Sequence, residues 1–367
     1  MSAPQFKERL TRVARRAQEC GIDAVLVTPG TDLRYLIGYD AVALERLTCL
    51  VIPAMGEPWL TVPYLEQPAA EAAGVSSLGI ELTTWTETQS PYELLASRLS
   101  SVRTVALDDH MWASKVLSLR DAMPQVRQVS GESTLSYVRM RKGADEIASL
   151  QAAGAAIDTV HRSVPDLLKI GRTEREVGAD IARAILDAGH SRVDFVIVGS
   201  GPNGASPHHE LSNRVIEDGD VVVVDIGGTM PDGYCSDSTR TYLVGDSPEP
   251  EYFAALQQAQ AAAVAAVRPG LSCAALDAVG RDILMAAGWG EYFIHRTGHG
   301  IGLDTHEEPY IVSGNELALE PGMAFSIEPG VYLPGMNGAR IEDIVVCGAD
   351  GPIVCNHTPH ELVRVAQ

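Results

Sequence analysis

The stretch VVVVDIGGTMPDGYCSDSTRT (221–241) consists of two strand-like runs joined by a short turn, TMPDG (229–233). Each run contains one candidate carboxylate, Asp225 in the first and Asp237 in the second. A carboxylate among apolar residues costs free energy to bury unless it is paired or bound to a metal ion. The pattern therefore predicts a β-hairpin that brings two acidic side chains together in a polar site.

Three further residues outside the hairpin share this apolar setting. They are His299 in HRTGHGIGL (295–303), Glu328 in LEPGMAFSIEPG (319–330) and Glu342 in GARIEDIVV (338–346). Four converging carboxylates would repel one another strongly in a low-dielectric interior. Two divalent cations would cancel that charge, and such a pair generates hydroxide from water at neutral pH. The five residues together predict a binuclear metal centre.

Each residue taken alone has a simpler interpretation. Asp225 is placed like a residue at the end of a strand, and Glu328, before Pro-Gly, is placed like a turn residue. His299 lies between two glycines and has the pattern of a hydrogen-bonded buried histidine. The metal hypothesis depends on the occurrence of all these residues in one chain. It would be wrong only if every one of the simpler interpretations held at once.

The donor types restrict the metal. Four carboxylates and one imidazole, with no thiolate, argue against a structural zinc site of the cysteine type. Carboxylate-rich sites suit Mn²⁺ or Mg²⁺, and a single histidine also admits Co²⁺, Fe²⁺ or Zn²⁺. We expect two divalent metal ions, with manganese favoured.

Four motifs occur in the order and at the distances typical of one enzyme family. They are DIGG…GYCSDSTRT, HRTGHGIGLDTHEEP, SIEPGVY and RIED. With them the chain resembles, over nearly its whole length, the pita-bread metallopeptidases: aminopeptidase P, prolidase (Xaa-Pro dipeptidase), methionine aminopeptidase and the metal-free creatinases. The resemblance implies an α+β fold. A C-terminal pita-bread domain (creatinase/aminopeptidase-like) with a curved, mostly antiparallel sheet would follow a smaller α/β creatinase-type domain.

The resemblance also implies how the five residues divide the metal sites. Asp225 would bind one ion, and Asp237 and Glu342 would bridge both ions. His299 and Glu328 would complete the ligands of the second ion. Glu328 is in addition expected to carry a proton to the leaving nitrogen as a general acid–base.

Three more histidines are expected near the metals. By the resemblance, His208 faces the substrate, His295 lines a proline pocket, and His306 stabilises the tetrahedral intermediate. The neighbour of the first, His209, is expected to be an exposed residue.

Other polar residues near the motifs are candidates for supporting and substrate-binding roles. Arg340 is expected to orient the carboxylates, with a surface salt bridge as the alternative, and Thr239 and Thr241 are candidate donors to the ligands. Many prolidases have an arginine at the position of Tyr310, where it can bind the carboxylate of a dipeptide. We expect Arg340 and the histidines to supply the positive potential for substrate binding instead.

The expected reaction is metal-assisted hydrolysis of the Xaa-Pro bond, in Xaa-Pro dipeptides. The proline nitrogen has no hydrogen and its φ is fixed, so the enzyme needs a pocket that accepts the ring. Because of Tyr310, an aminopeptidase P that acts on Xaa-Pro-Yaa peptides remains the alternative. A non-catalytic peptide-binding module is a third hypothesis, against which the complete ligand set argues.

Composition limits the partners and the compartment. The formal net charge is −20, so binding to nucleic acid or to an anionic membrane is not expected. No apolar stretch approaches the ~20 residues of a membrane-spanning helix, and the N-terminus lacks the apolar core of a signal peptide. Six cysteines without CxxC spacing indicate reduced thiols and a cytoplasmic protein. A homodimer is implied by the family resemblance alone.

Helix and strand patterns alternate through the N-terminal part, which predicts an α/β layer. The polar segment PQVRQVSGESTLSY (124–137) separates it from the motifs. We expect an N-terminal domain at 1–125, a linker at 126–137 and the catalytic domain at 138–367. Helices of the catalytic domain are predicted at 138–166, from Thr173 with a capping box to Glu176, near 250–267 and near 274–287.

The segment GSGPNG (199–204) matches the glycine pattern of dinucleotide-binding loops. Such a site needs a helix that begins inside the motif, so that its N-terminus meets the pyrophosphate. Pro202 and Pro207 oppose a helix here, and the segment is predicted to be a loop.

Overall fold

The alternating patterns of the N-terminal part form a six-stranded mixed sheet. The computed structural model describes residues 3–366, which divide into two units between Arg139 and Met140. The strands of the first unit are β1 (Ala24–Val27), β2 (Cys49–Pro53), β3 (Trp59–Pro63), β4 (Glu81–Trp85), β5 (Thr104–Leu107) and β6 (Arg127–Ser130). Their order is β4-β3-β2-β1-β5-β6. β2 is antiparallel to both neighbours, and the other pairs are parallel.

Helices of the first unit bury their apolar faces against this sheet. They are α1 (Ala3–Glu19), α2 (Thr31–Ile37), α3 (Gln67–Ala72), α4 (Pro91–Arg98), α5 (Ala113–Ala122) and the short α6 (Tyr137–Arg139). Leu95 of α4 and Leu119 of α5 pack in one cluster with Leu26, Val51 and Trp85 from the strands. The α/β layer is therefore built by alternating segments, as the sequence pattern indicates.

Part of the segment 126–137 is structured, although the sequence pattern predicted a linker there. β6 lies in this segment and pairs with β5 as an edge strand. A π-helix (Glu132–Ser136) follows it. The strand is short and its residues are exposed or half-buried, so its sequence, RQVS, carries little of the apolar alternation that identifies a strand.

The second unit contains a four-stranded sheet, a five-stranded sheet and a separate hairpin. Its strands are β7 (Arg192–Ser200), β8 (Val221–Thr229), β9 (Cys235–Val244), β10 (Gly298–Gly300), β11 (Glu307–Ile311), β12 (Ala324–Ile327), β13 (Gly330–Leu333), β14 (Asn337–Arg340), β15 (Asp343–Cys347), β16 (Pro352–Val354) and β17 (Val363–Val365). The sheets have the orders β17-β9-β8-β7 and β11-β10-β12-β15-β16, with the hairpin β13-β14. Except for the β17–β9 pair, all pairs are antiparallel.

Two pairs of helices cover these sheets. They are α7 (Ala144–Leu167) with α8 (Glu174–Asp187), and α9 (Phe253–Ala266) with α10 (Cys273–Ala286). Ile157 and Ile181 of the first pair pack on Val222 and Val224 of β8. Leu276 of α10 packs in another cluster, which includes residues of β12 and β15. The first pair thus covers β8, which carries Asp225, and the second pair covers strands that border Glu328 and Glu342.

The predicted capping box starts α8. The Thr173 hydroxyl accepts a hydrogen bond from the Glu176 amide, and the Glu176 carboxylate accepts one from the Thr173 amide. Short 3₁₀ turns occupy Tyr64–Glu66, Val75–Leu78, Gly201–Ala205 and Gly290–Tyr292. Within residues 3–366, no helix combines the length and apolar character needed to cross a membrane.

Candidate metal centre

Asp225 and Asp237 lie on the same face of the hairpin formed by β8 and β9. Asp225 is opposite Thr239 in the ladder, and Asp237 is two residues before Thr239. Because side chains alternate along a strand, residues two apart point to one face. Both aspartates are therefore diagonal neighbours in a wholly buried strand pair.

His299 reaches the same region from β10. Its two flanking glycines are required by the packing, since a Cβ on Gly298 would overlap the carbonyl oxygen of Ser326. A Cβ on Gly300 would likewise overlap the carbonyl oxygen of Glu308. The Gly-His-Gly sequence thus lets β10 fit between β11 and β12, with the imidazole as its one large side chain.

Glu328 and Glu342 complete the group from irregular segments next to strands. Glu328 follows β12, and its Oε1 accepts a hydrogen bond of 3.0 Å from the Ser326 hydroxyl. Glu342 lies between β14 and β15, and its Oε2 accepts one of 2.7 Å from the Thr239 hydroxyl. Its amide also donates to the Thr239 carbonyl at 3.1 Å, so Glu342 is tied to β9 through both backbone and side chain.

The structure brings the five predicted residues together. Ligand atoms of Asp237, His299 and Glu342 all lie within 4.8 Å of one another. The Nε2 atom of His299 is 3.7 Å from Asp237 Oδ2 and 3.3 Å from Glu328 Oε1. Asp225 joins the group through the strand pair described above.

Burial of like charges shifts the pKa values of these groups. Burial, and after it the neighbouring carboxylates, raises the pKa of Asp237 and of Glu342 well above the ordinary carboxyl values. Burial raises the pKa of Glu328 to about 7. Burial, with a smaller effect of a neighbouring histidine, lowers the pKa of His299 to about 3. The imidazole is consequently neutral at pH 7, which is the form that binds metals.

Two observations indicate that these side chains fit divalent cations. Asp225 Oδ1 is buried and has no hydrogen-bond partner among residues 3–366, which is costly for a carboxylate unless a cation satisfies it. His299 Nδ1 donates to the carbonyl of Gly300 at 3.1 Å, which leaves Nε2 as an acceptor directed at the carboxylates. This oxygen-rich set with one imidazole suits a hard or borderline divalent ion.

Arg340 holds the site together from one side. Its Nη2 donates to Asp225 Oδ2 at 2.5 Å and its Nε to the Thr239 hydroxyl at 3.0 Å. Its Nη1 donates to the Tyr332 hydroxyl at 2.8 Å and to the Pro207 carbonyl at 3.3 Å. All three guanidinium nitrogens are used by the protein, and the side chain is 3 % exposed. This arrangement favours the orienting role over substrate binding and over a surface salt bridge.

A cavity of about 770 Å³ opens onto the carboxylates. It lies entirely within the second unit. Its lining residues are Phe195, Ile197, Ser206, Pro207, His208, Asp225, Asp237, Ile294, His295, Arg296, His299, His306, Glu328 and Arg340. The three additional histidines predicted from the sequence are all among them.

The three histidines contribute in different ways. The Nε2 of His295 accepts from the Tyr332 hydroxyl at 2.9 Å, and its Nδ1 donates to the Arg296 carbonyl at 2.7 Å. Both nitrogens are therefore used, and His295 offers the cavity a ring face. His306 lies with its ring centroid 4.0 Å from that of His299. His208 lines the cavity from the segment after β7.

Sequence reasoning missed Arg296, which lies three residues before His299. Its guanidinium carbon is 4.3 Å from the centroid of the Tyr310 ring, a typical cation–π geometry. Arg296 lines the cavity, whereas Tyr310, a candidate substrate-binding residue from the sequence, is not among the described residues that line it. The available signal was the arginine inside the motif HRTGHGIGL, but the stacking on Tyr310 depends on the packing of β10 and β11.

Buried carboxylates and an imidazole that converge at the base of a cavity, between the sheets of an α+β fold, define a metal-dependent hydrolase. The chain belongs to metallopeptidase family M24, which matches residues 148–349. Residues 9–141 match the creatinase/prolidase N-terminal domain. The predicted family and the predicted fold, a pita-bread domain after a creatinase-type domain, are confirmed.

Similar proteins cover the chain almost completely. A probable dipeptidase, PepE, from Mycobacterium tuberculosis (strain ATCC 25618 / H37Rv) is 50 % identical over 99 % of this chain and 97 % of its own. The Xaa-Pro dipeptidase of Lactobacillus helveticus is 35 % identical over 96 % of this chain and 98 % of its own. The crystal structure of dipeptidase PepE from Mycobacterium ulcerans is 52 % identical, with a TM-score of 0.96 and 100 % of both chains covered.

Proposed function

We propose that this chain hydrolyses Xaa-Pro dipeptides. The observation that carries the proposal is the guanidinium of Arg296, which lines the cavity above the ring of Tyr310. Arg296 supplies a positive charge next to Tyr310, at whose position many prolidases have an arginine. The names of the relatives, a dipeptidase and an Xaa-Pro dipeptidase, support the same substrate class.

A dipeptide substrate carries its own carboxylate one residue beyond the scissile bond. Guanidinium groups bind carboxylates with two parallel charge-assisted hydrogen bonds, which add geometric selectivity to affinity. Arg296 lines the same cavity as His299, His306 and Glu328. The nitrogens of Arg340 are engaged with protein groups. Arg296 is therefore the residue we assign to the substrate carboxylate.

The remaining residues of the cavity have roles that follow from their chemistry. Divalent ions bound by the carboxylates and His299 would supply Lewis acidity and would activate water at neutral pH. Glu328 lines the cavity and would carry a proton to the proline nitrogen. His208 and His306, which also line the cavity, would donate to the oxygen of the scissile carbonyl. Phe195 and Ile197 offer apolar surface to a ring that has no N–H.

We further propose that the centre holds two ions, with manganese favoured by the carboxylate-rich donor set. Asp225 would bind one ion, and Asp237 and Glu342 would bridge the pair. A homodimer in the cytoplasm is part of the proposal. The dimer is supported by the family resemblance and the compartment by the cysteine usage.

The carboxylate assignment is tested with an Xaa-Pro dipeptide and its C-terminal amide, which differ only in the charged group. The manganese-loaded wild-type enzyme should prefer the acid, because a charge-assisted hydrogen bond contributes about 1.5–3 kcal/mol, or roughly 10–100-fold in kcat/KM. Arg296→Gln should remove this preference while leaving kcat/KM for the amide within about threefold. Steady-state kinetics of the wild type and of Arg296→Gln, each with the acid and with the amide, measures the preference and the kcat/KM for the amide.

The exposed Arg268 provides a matched control. Arg268→Gln removes the same charge outside the cavity and should retain the wild-type preference. An Arg296→Gln enzyme that still prefers the acid would refute the role of Arg296. A wild-type enzyme that cleaves Xaa-Pro-Yaa tripeptides much faster than dipeptides would replace the dipeptidase proposal with an aminopeptidase P.

A further inference from the structure

The segment that carries His208 is held from behind by one buried carboxylate. Glu174 is the first residue of α8, and its side chain is 0 % exposed. The segment begins at Ser200, the end of β7, continues through the 3₁₀ turn Gly201–Ala205, and includes Ser212. Side chains from both ends of the segment donate to Glu174.

The hydrogen bonds to Glu174 occupy both of its oxygens. Oε1 accepts from the Ser200 amide at 2.8 Å, the Ser200 hydroxyl at 2.7 Å and Asn203 Nδ2 at 3.0 Å. Oε2 accepts from Asn203 Nδ2 at 3.1 Å, His209 Nε2 at 2.8 Å and the Ser212 hydroxyl at 2.5 Å. A buried carboxylate is tolerated only with such compensation. The arrangement makes Glu174 the common acceptor for four residues of the segment.

His209 is the link between this anchor and the cavity. It was expected to be exposed, but its side chain is 15 % exposed and its Nε2 is hydrogen-bonded to Glu174. The preceding residue, His208, lines the cavity. On the cavity side, the Pro207 carbonyl accepts from Arg340. The segment is thus fixed on one side by the arginine that holds Asp225 and on the other side by Glu174.

We propose that Glu174 is a positioning residue for hydrolysis, which acts by fixing, through His209, the place of His208 over the metal centre. The inference rests on the proposed function, in which His208 donates to the scissile carbonyl. Glu174 itself does not line the cavity formed by residues of the described chain. Its loss should therefore lower kcat with little change in KM, because the missing interaction is made in the transition state.

A double-mutant cycle in full-length, manganese-loaded enzyme separates this role from a general structural one. Glu174→Gln replaces an acceptor oxygen with a donor and should lower kcat for an Xaa-Pro dipeptide roughly 10²-fold, as expected for a misplaced catalytic group. His208→Ala should lower kcat roughly 10²–10³-fold, as for a lost oxyanion donor. In the His208→Ala background, Glu174→Gln should cost less than about threefold, because coupled residues are not additive.

Glu176, in the same helix turn, is exposed and supplies the control. Glu176→Gln should leave kcat within about twofold of wild type, since it weakens only the helix cap. If Glu174→Gln does not fold, the half-buried His209 gives an independent test. His209→Leu should reproduce the kinetic defect, and His209→Gln, whose amide can donate to Glu174, should retain most of the activity.

The outcomes distinguish this inference from the proposed function. A wild-type enzyme without turnover of Xaa-Pro dipeptides would overturn the proposed function and this inference with it. Active wild-type enzyme in which the two single effects multiply would overturn the inference alone, as would a Glu174→Gln enzyme with wild-type kcat. Equal activities of the His209→Leu and His209→Gln enzymes would also overturn it.

Discussion

At the scale of single residues, the metal centre depends on neutral and cationic donors that hold its carboxylates in place. Thr239 links two of them, because its hydroxyl donates to Glu342 Oε2 at 2.7 Å and accepts from Arg340 Nε at 3.0 Å. Arg340 in turn binds Asp225. Partners of this kind commonly contribute to metal affinity as well as to ligand orientation.

Thr239→Val keeps the shape of the side chain but removes its hydroxyl. We expect Mn²⁺ affinity to fall roughly 10–100-fold, because Glu342 and Arg340 lose a shared partner. Calorimetric titration of metal-depleted protein measures the affinity. Thr241→Val, two residues along the same strand, is the control, since its hydroxyl bonds to the Arg340 backbone rather than to a carboxylate. Equal affinities of the two variants would contradict the role of Thr239.

The five candidate ligands could be predicted from the sequence because acidic and imidazole groups inside apolar strand patterns are costly to bury without a cation. Arg296 and Glu174 could not be predicted in this way, and the reason is physical. Both are ordinary in the sequence, Arg296 as an arginine inside a glycine-rich motif and Glu174 as an acidic residue in a first helical turn. Their roles arise from contacts with Tyr310 and with His209, which only the folded chain creates.

At the scale of elements, a strong apolar periodicity in the sequence was sufficient to predict a helix or a strand, and a weak one was not. The capping box at Thr173 and the apolar runs of β8 are local signals, and the helix and strand were found where they indicate. β4 and β6 carry only a weak strand pattern, because their sequences, ELTTW and RQVS, are short, polar and only partly buried. Their pairing is fixed by neighbouring strands, which a local pattern does not reveal.

The contact of α7 with β9 predicts a pH dependence of stability. His161 of α7 is buried, with Nδ1 3.0 Å from the Tyr242 hydroxyl and Nε2 3.1 Å from the Ser238 carbonyl. Burial lowers its pKa from the ordinary 6.5 to about 3. Below pH 6.5 the unfolded chain therefore binds a proton that the folded chain does not, so this contribution to stability is lost as the pH falls from 6.5 towards 3.

His161→Gln removes this titration while keeping an amide for hydrogen bonding. Between about pH 7 and about pH 5.5, the unfolding free energy of the wild type should fall by about 1 kcal/mol more than that of the variant. Urea unfolding at both pH values measures the difference, and titration of the metal centre cancels in the comparison. Identical pH dependence of the two proteins would contradict a neutral buried His161.

At the scale of the whole molecule, the chemistry is concentrated in one of the two units. All of the candidate ligands and the cavity that opens onto them belong to residues 140–366. The first unit is a separately packed α/β layer that matches the creatinase/prolidase N-terminal domain. We therefore expect hydrolysis to require metal ions held by the carboxylates and His299 of the second unit.

Titration of Mn²⁺ into metal-depleted full-length protein tests whether hydrolysis requires these ions. The depleted protein should not hydrolyse an Xaa-Pro dipeptide, and activity and unfolding temperature should rise together, because ions bound only to the folded state stabilise it. Both should saturate at about two ions per chain, as for a two-metal centre. Asp237→Ala should show neither response. Full turnover by protein that elemental analysis shows to be metal-free, or by Asp237→Ala, would contradict a metal requirement at this site.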